Sequence, residues 1–200
     1  MRVLPRRRPA RSARLVAALA ASLASLVAAA SPRPCRADPP PSFALRSPAF
    51  EPQAEIPARF TCEGQDVSPA LVWTDPPAGT RSFALVVSDP DAPDPRAPQR
   101  TWIHWVVYDI PASARGLVED AERAGLPQDA RRGRNDWGRT GYGGPCPPVG
   151  RHRYVHALYA LDLLLPDLGE ATQAELERAM QGHVLARAEL VGTYQKQGRR

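Results

Sequence analysis

Trp102-Ile103-His104-Trp105-Val106-Val107-Tyr108-Asp109-Ile110 is a run of mostly aromatic and β-branched residues stopped by Pro111. Such a run reads as a strand. Both of its alternating faces are largely apolar, so it must be covered on both sides. Ser82–Ser88 (SFALVVS), between Gly79 and Pro90, and Arg153–Leu161 (RYVHALYAL) read the same way. Strands of this kind belong at the centre of a sandwich or of a large sheet.

The segments between them are rich in turn residues. Pro90–Pro98 holds four prolines, and Gly141–Gly150 (GYGGPCPPVG) holds four glycines and three prolines. Neither composition supports a helix or a regular strand, so each is a shaped loop. The Gly/Pro loop is expected to offer backbone N–H groups. One helix signal comes late: Thr172-x-x-Glu175 is a capping box, followed by Leu176, Ala179 and Met180 at helical spacing and Gly182 as a stop. Val184–Tyr194 reads as a helix-to-strand segment with unfixed bounds.

The amino terminus is a separate object. Six arginines and no acid occupy residues 1–14, and an unbroken run of Leu, Val, Ala and Ser spans 15–30, ending in Ala28-Ala29-Ala30. That order predicts a signal peptide over 1–30, with an uncleaved anchor as the alternative, and hence export to a periplasmic or secreted location. Residues 31–42 read as a proline-rich tether, 43–195 as one domain and 196–200 as a tail. The formal charge of +5 belongs to the leader: without its six arginines the rest carries −1. The basic balance therefore gives no argument for a nucleic-acid partner.

Three cysteines are present, Cys35, Cys62 and Cys146. In an oxidising compartment one bridge and one free thiol is the natural arithmetic. Cys62 and Cys146 lie in loops of the domain and Cys35 lies among tether prolines, so a Cys62–Cys146 disulfide is expected. No C-x-x-C pair supports a zinc ribbon.

Polar residues stranded in apolar strands mark the chemistry. His104 sits between Ile103 and Trp105, His156 is embedded in the Arg153 strand just after His152, and Asp89 and Asp91 close the Ser82 strand. A buried charge or imidazole must be paired or hydrogen-bonded, so several in one domain point to a shared polar pocket. Singly, each is as well read as a turn residue or a satisfied core residue.

Three ordered blocks carry a resemblance. Asp89-Pro90-Asp91-Ala92-Pro93, then His104-Trp105-Val106-Val107-Tyr108, then Gly144-Pro145-Cys146-Pro147-Pro148 with His152-Arg153-Tyr154 resemble the signatures of the phosphatidylethanolamine-binding protein family. Phe60-Thr61-Cys62-Glu63-Gly64, Ser68-Pro69 and Gly182-His183-Val184-Leu185-Ala186 are similar to its bacterial, Raf kinase inhibitor-like branch. The stretch from Pro148 to His152 is shorter than in eukaryotic members. The likeness spans about residues 43–195.

The resemblance implies a mainly β, β-sandwich-like single domain with one or two peripheral C-terminal helices. It further implies one anion pocket that takes phosphate, acetate or a phosphoethanolamine head group. Asp89, Asp91, His104, His152 and Tyr154 fall on the pocket positions, with Gly144 in its wall. The mix of acids and donors suits a zwitterionic head group better than bare phosphate. No cofactor, metal or catalytic residue is expected. Rival readings are a His/Asp metal site, a Cys146–His152 nucleophile, and a secreted module that inhibits a protease or other enzyme. An unidentified protein partner and a homodimer stay open.

Overall fold

The computed structural model describes residues 42–197. The leader over 1–30, almost all of the tether and Cys35 lie outside the described residues. Among those described, no helix is long and apolar enough to cross a membrane.

Strands dominate. β1 (Ala44–Arg46), β2 (Leu71–Thr74) and β5 (Gly116–Leu117) form a three-stranded sheet in the order β1-β2-β5. A five-stranded sheet has the order β6-β4-β3-β7-β8, built from β3 (Ser82–Asp89), β4 (Trp102–Pro111), β6 (Arg131–Arg132), β7 (His152–Leu161) and β8 (Val184–Tyr194). Every pairing in both sheets is antiparallel. α1 (Ala121–Ala124) is a single turn in mid-chain, and α2 (Gln173–Met180) is, among the described residues, the one C-terminal helix.

The three apolar runs of the sequence are β4, β3 and β7, the middle of the large sheet. Their two-sided apolarity has a direct cause. Phe83, Leu85, Val87, Trp105, Val107 and Leu158 face the small sheet, where they meet Leu45, Leu71, Trp73 and Leu117. Ala84, Val86, Val106 and Tyr108 face the other way and meet Leu165, Leu176 and Met180. α2 closes that second core. Thr172 accepts from the Glu175 amide while the Glu175 carboxylate accepts from the Thr172 amide, the reciprocal cap expected from sequence.

Val184–Tyr194 is a strand along its whole length, not a helix-to-strand segment. From Ala188 onward burial alternates strictly, with Ala188, Leu190, Gly192 and Tyr194 inward. Period two, not 3.6, decides the element.

Two irregularities in β4 position side chains. Val87 pairs with Trp105 but Ser88 pairs with Ile103, which makes His104 an extra, bulged residue. A bulge re-aims its side chain, and here it sends His104 toward β7. A second bulge sits at Asp109, whose φ of 53° is left-handed and whose carboxylate accepts from the Leu165 amide at 2.9 Å.

Cys62 and Cys146 form a disulfide with Cα atoms 5.4 Å apart, bridging a separation of 84 residues. It ties the Gly/Pro loop to the segment after the short 3-10 turn Ala58–Phe60.

Candidate ligand-binding site

A cleft of about 330 Å³ opens at the end of the large sheet. Its lining is Asp89 from the end of β3, Ala92 and Pro93 from the following turn, Trp102 and His104 from β4, Trp137, and Cys146–Pro148 of the Gly/Pro loop.

His104 is 3% exposed, and its Nδ1 lies 2.7 Å from the carbonyl oxygen of Gly143. A carbonyl only accepts, so Nδ1 carries the proton and donates. The other nitrogen, Nε2, is left for a ligand. Burial pushes the His104 pKa down, opposed by the Gly143 carbonyl and by Asp89, Asp66 and Asp136. The ring is therefore neutral near pH 7 and presents a lone pair at Nε2. Its faces are set by Trp137 and Tyr154, edge-on at centroid distances of 5.1 and 5.2 Å.

Asp89 is 4% exposed and held on both oxygens. Oδ1 accepts from the Asp91 amide at 2.8 Å, and Oδ2 lies 2.7 Å from His152 Nδ1. His152 is fully buried, with Nε2 2.9 Å from the Val149 carbonyl. Both neighbours of that ring are oxygen acceptors.

Behind His104, Tyr154 is 1% exposed and its hydroxyl has no hydrogen-bond partner. Burial, then the Asp89 charge, drives its pKa far up, so the hydroxyl stays protonated as a donor. Trp102 Nε1 is a second buried donor without an acceptor.

The six residues expected at the pocket form one neighbourhood but hold different places in it. Asp89 and His104 line the cleft. His152 and Tyr154 lie behind them as supports. Asp91 does not face the cleft: both of its oxygens are taken by the Arg153 guanidinium, at 2.6 and 2.9 Å, and Oδ2 also accepts the Arg153 amide. That contact, more than partial burial opposes it, lowers the Asp91 pKa. Gly144 is no anion donor either. Its N–H donates to Asp66 Oδ1 at 2.6 Å, and that of Gly143 to the His104 carbonyl at 3.1 Å. The expected nest is thus already occupied by the protein's own acceptors, which shape the loop.

Two wall residues went unread in the sequence. Trp102 heads the decisive strand but looked like core. Trp137 comes from a clamped turn: Asn135 Oδ1 accepts the Trp137 amide at 3.0 Å and Asp136 Oδ2 accepts the Ile103 amide at 2.9 Å. Asn135, Asp136 and Gly138 are the local turn signal; nothing in it announces that the ring between them lines a cleft. The two indoles meet edge to face at 5.3 Å.

Among the described residues, no three His, Cys, Asp or Glu side chains gather as a metal site would need.

A family model described as phosphatidylethanolamine-binding protein matches residues 46–195. The chain belongs to the phosphatidylethanolamine-binding protein family. A UPF0098 protein of Methanothermobacter thermautotrophicus is 44% identical over 153 residues, covering 76% of this chain and 98% of that protein. The crystal structure of the phosphatidylethanolamine-binding protein homolog CT736 of Chlamydia trachomatis superposes with a TM-score of 0.71 at 40% identity, over 78% of this chain and 98% of CT736. Escherichia coli YbcL, described as a member of the mammalian family, gives a TM-score of 0.70 at 32% identity, over 78% of this chain and 99% of its own.

Proposed function

We propose that this family member is an exported, non-catalytic binding protein that takes a small phosphorylated head group of phosphoethanolamine type in the Asp89–His104 cleft. The observation that carries this reading is a carboxylate, an imidazole lone pair and an indole N–H without an acceptor brought together in one apolar-walled space. Asp89 and the two indole rings suit an ammonium group, by charge and by cation–π attraction. Trp102 Nε1, a donor without an acceptor on the cleft wall, suits a phosphoryl oxygen, and His104 Nε2 suits the P–OH of a monoanion, with the unpaired Tyr154 hydroxyl behind the ring. Bare phosphate would meet Asp89 without compensation. A nucleophile is absent from the reading because the cleft-lining sulfur, that of Cys146, is in the disulfide. Export rests on the leader over residues 1–30.

Calorimetric titration with phosphoethanolamine, phosphate, acetate and ethanolamine tests it. The expected order places phosphoethanolamine first. Equal affinity for phosphoethanolamine and phosphate would remove the role given to Asp89. No binding of any of them would remove the reading itself.

A further inference from the structure

We propose that His156 is an acid-sensitive latch, whose protonation releases the Phe50–Ile56 segment from the outer edge of β8. His156 is 1% exposed on the inner face of β7, and neither ring nitrogen has a hydrogen-bond partner. It plays no part in the ligand cleft. Its strand neighbours are Val87 on β3 and Leu190 on β8, and the Phe50 ring lies against it at a centroid distance of 5.7 Å.

The segment that carries Phe50 is a strap along β8. Gln53 N–H donates to the Val191 carbonyl at 2.7 Å, Ile56 N–H to the Thr193 carbonyl at 2.8 Å, and Thr193 N–H to the Ala54 carbonyl at 2.8 Å. The strap lies tight on the strand: a Cβ at Gly192 would stand 2.5 Å from Ile56 Cγ1 and 2.8 Å from Phe50 Cε2. It caps the backbone groups of β8 that would otherwise form an open sheet edge.

A neutral imidazole without partners is a tolerable cost in a core, whereas its cation is not. Among the described residues, no carboxylate is paired with the ring. From β4 the titratable neighbour is His104, which adds repulsion. From β7 itself the same face carries His152 and Tyr154. On the strap, Glu51 and Glu55 are exposed, and Glu55 is engaged by Arg151 at 2.9 Å. On β8, Glu189 is paired with Arg187, and β3 presents Val87. The carbonyls of Tyr154 and Leu190 oppose the shift only in part, and burial brings the His156 pKa down to about 4.

The least costly way to hydrate a protonated ring is to move the strap. β3 and β7 are each paired along both edges, and β8 is paired with β7 throughout its length. The strap is held by the three backbone hydrogen bonds above, by Thr193 Oγ1 on the Ala54 carbonyl, by the Arg151–Glu55 pair and by the buried Phe50 and Ile56 side chains, while Glu51, Pro52 and Gln53 are exposed. As pH falls from about 6 toward 4, opening of the strap therefore becomes progressively easier while the sheet holds, and it bares the Val191 and Thr193 backbone groups.

Hydrogen exchange of the full chain between pH 7 and pH 4, corrected for intrinsic rates, tests this. Protection at Gln53, Ile56 and Thr193 is expected to fall about 10-fold per pH unit between about pH 6 and pH 4. Amides of β3 should stay more protected at every pH. In His156→Phe, or His156→Leu if Phe does not fold, strap protection should lose its pH dependence. The proposal is overturned if the wild-type strap shows no such fall, if the variant shows the same one, or if strap amides exchange only together with those of β3.

Discussion

His152 Nδ1 lies 2.7 Å from Asp89 Oδ2, so a fully buried imidazole backs the carboxylate that faces the cleft. The pair divides the labour at this end of the sheet. Asp89 lines the cleft, where the proposed ligand would meet it, and His152 fixes the direction of its carboxylate. Asp89→Ala is expected to abolish phosphoethanolamine binding. It should also cost about 1–3 kcal/mol of stability, because it strands a buried His152 donor. Urea unfolding beside calorimetry measures both; retained binding with lost stability would make Asp89 structural only.

The pH dependence of binding follows from His104. Its folded pKa is depressed by burial, so the positive charge that favours phosphate arrives only below about 6.5. Affinity for sulfate, an anion that does not titrate in this range, is expected to be flat from pH 8 to pH 7 and to rise as pH falls further. His104→Gln should remove that rise.

Stability carries the opposite sign. His156 has a folded pKa of about 4 against an ordinary 6.5, so the unfolded chain takes up its proton first as pH falls. The contribution is whole above pH 6.5 and is lost progressively down to about pH 4. The loss is about 3 kcal/mol. Urea midpoints from pH 7 to pH 4 should fall more steeply for the wild type than for His156→Phe.

Gly143 and Gly144 separate loop stability from wall position. A Cβ at Gly144 would stand 2.4 Å from the Phe60 carbonyl oxygen and 2.9 Å from Thr61 Cα, both backbone. Gly144→Ala should therefore destabilise the domain by about 1–3 kcal/mol. At Gly143 the obstacle is the Trp137 ring, at 2.5 Å. That ring is half exposed and can swing away, so Gly143→Ala should weaken ligand binding more than it lowers Tm.

The Cys62–Cys146 bridge closes a long loop that includes the cleft wall. The double Cys→Ser variant is expected to lose about 4–5 kcal/mol through the freer unfolded chain. Hydrogen bonds from Tyr142 to Phe60 and from Gly144 to Asp66 remain, so the wall should persist at neutral pH with weaker ligand binding. Denaturant unfolding and titration of the variant check both.

What the sequence made legible was local. β3, β4 and β7 were readable because a strand buried on both faces leaves an unbroken apolar run, and α2 because a reciprocal cap is written in four residues. His104 stood out as a polar residue in such a run. The bulge that aims it did not, since an extra residue in a ladder depends on the register with β3. Asp91 looked equivalent to Asp89 for the same reason: only the folded chain brings Arg153 across to it. Trp137 was missed because loop aromatics carry no period. β8 was half legible, since its first residues break the alternation that the rest obeys.

The crystal structure of the protein soaked with phosphoethanolamine tests the central claim most directly. The phosphoryl group should lie against His104 Nε2 and the ammonium against Asp89, between Trp102 and Trp137. Density instead in the separate polar cleft lined by Asp120, Arg123 and Arg139, or none in either at saturating ligand, would contradict it.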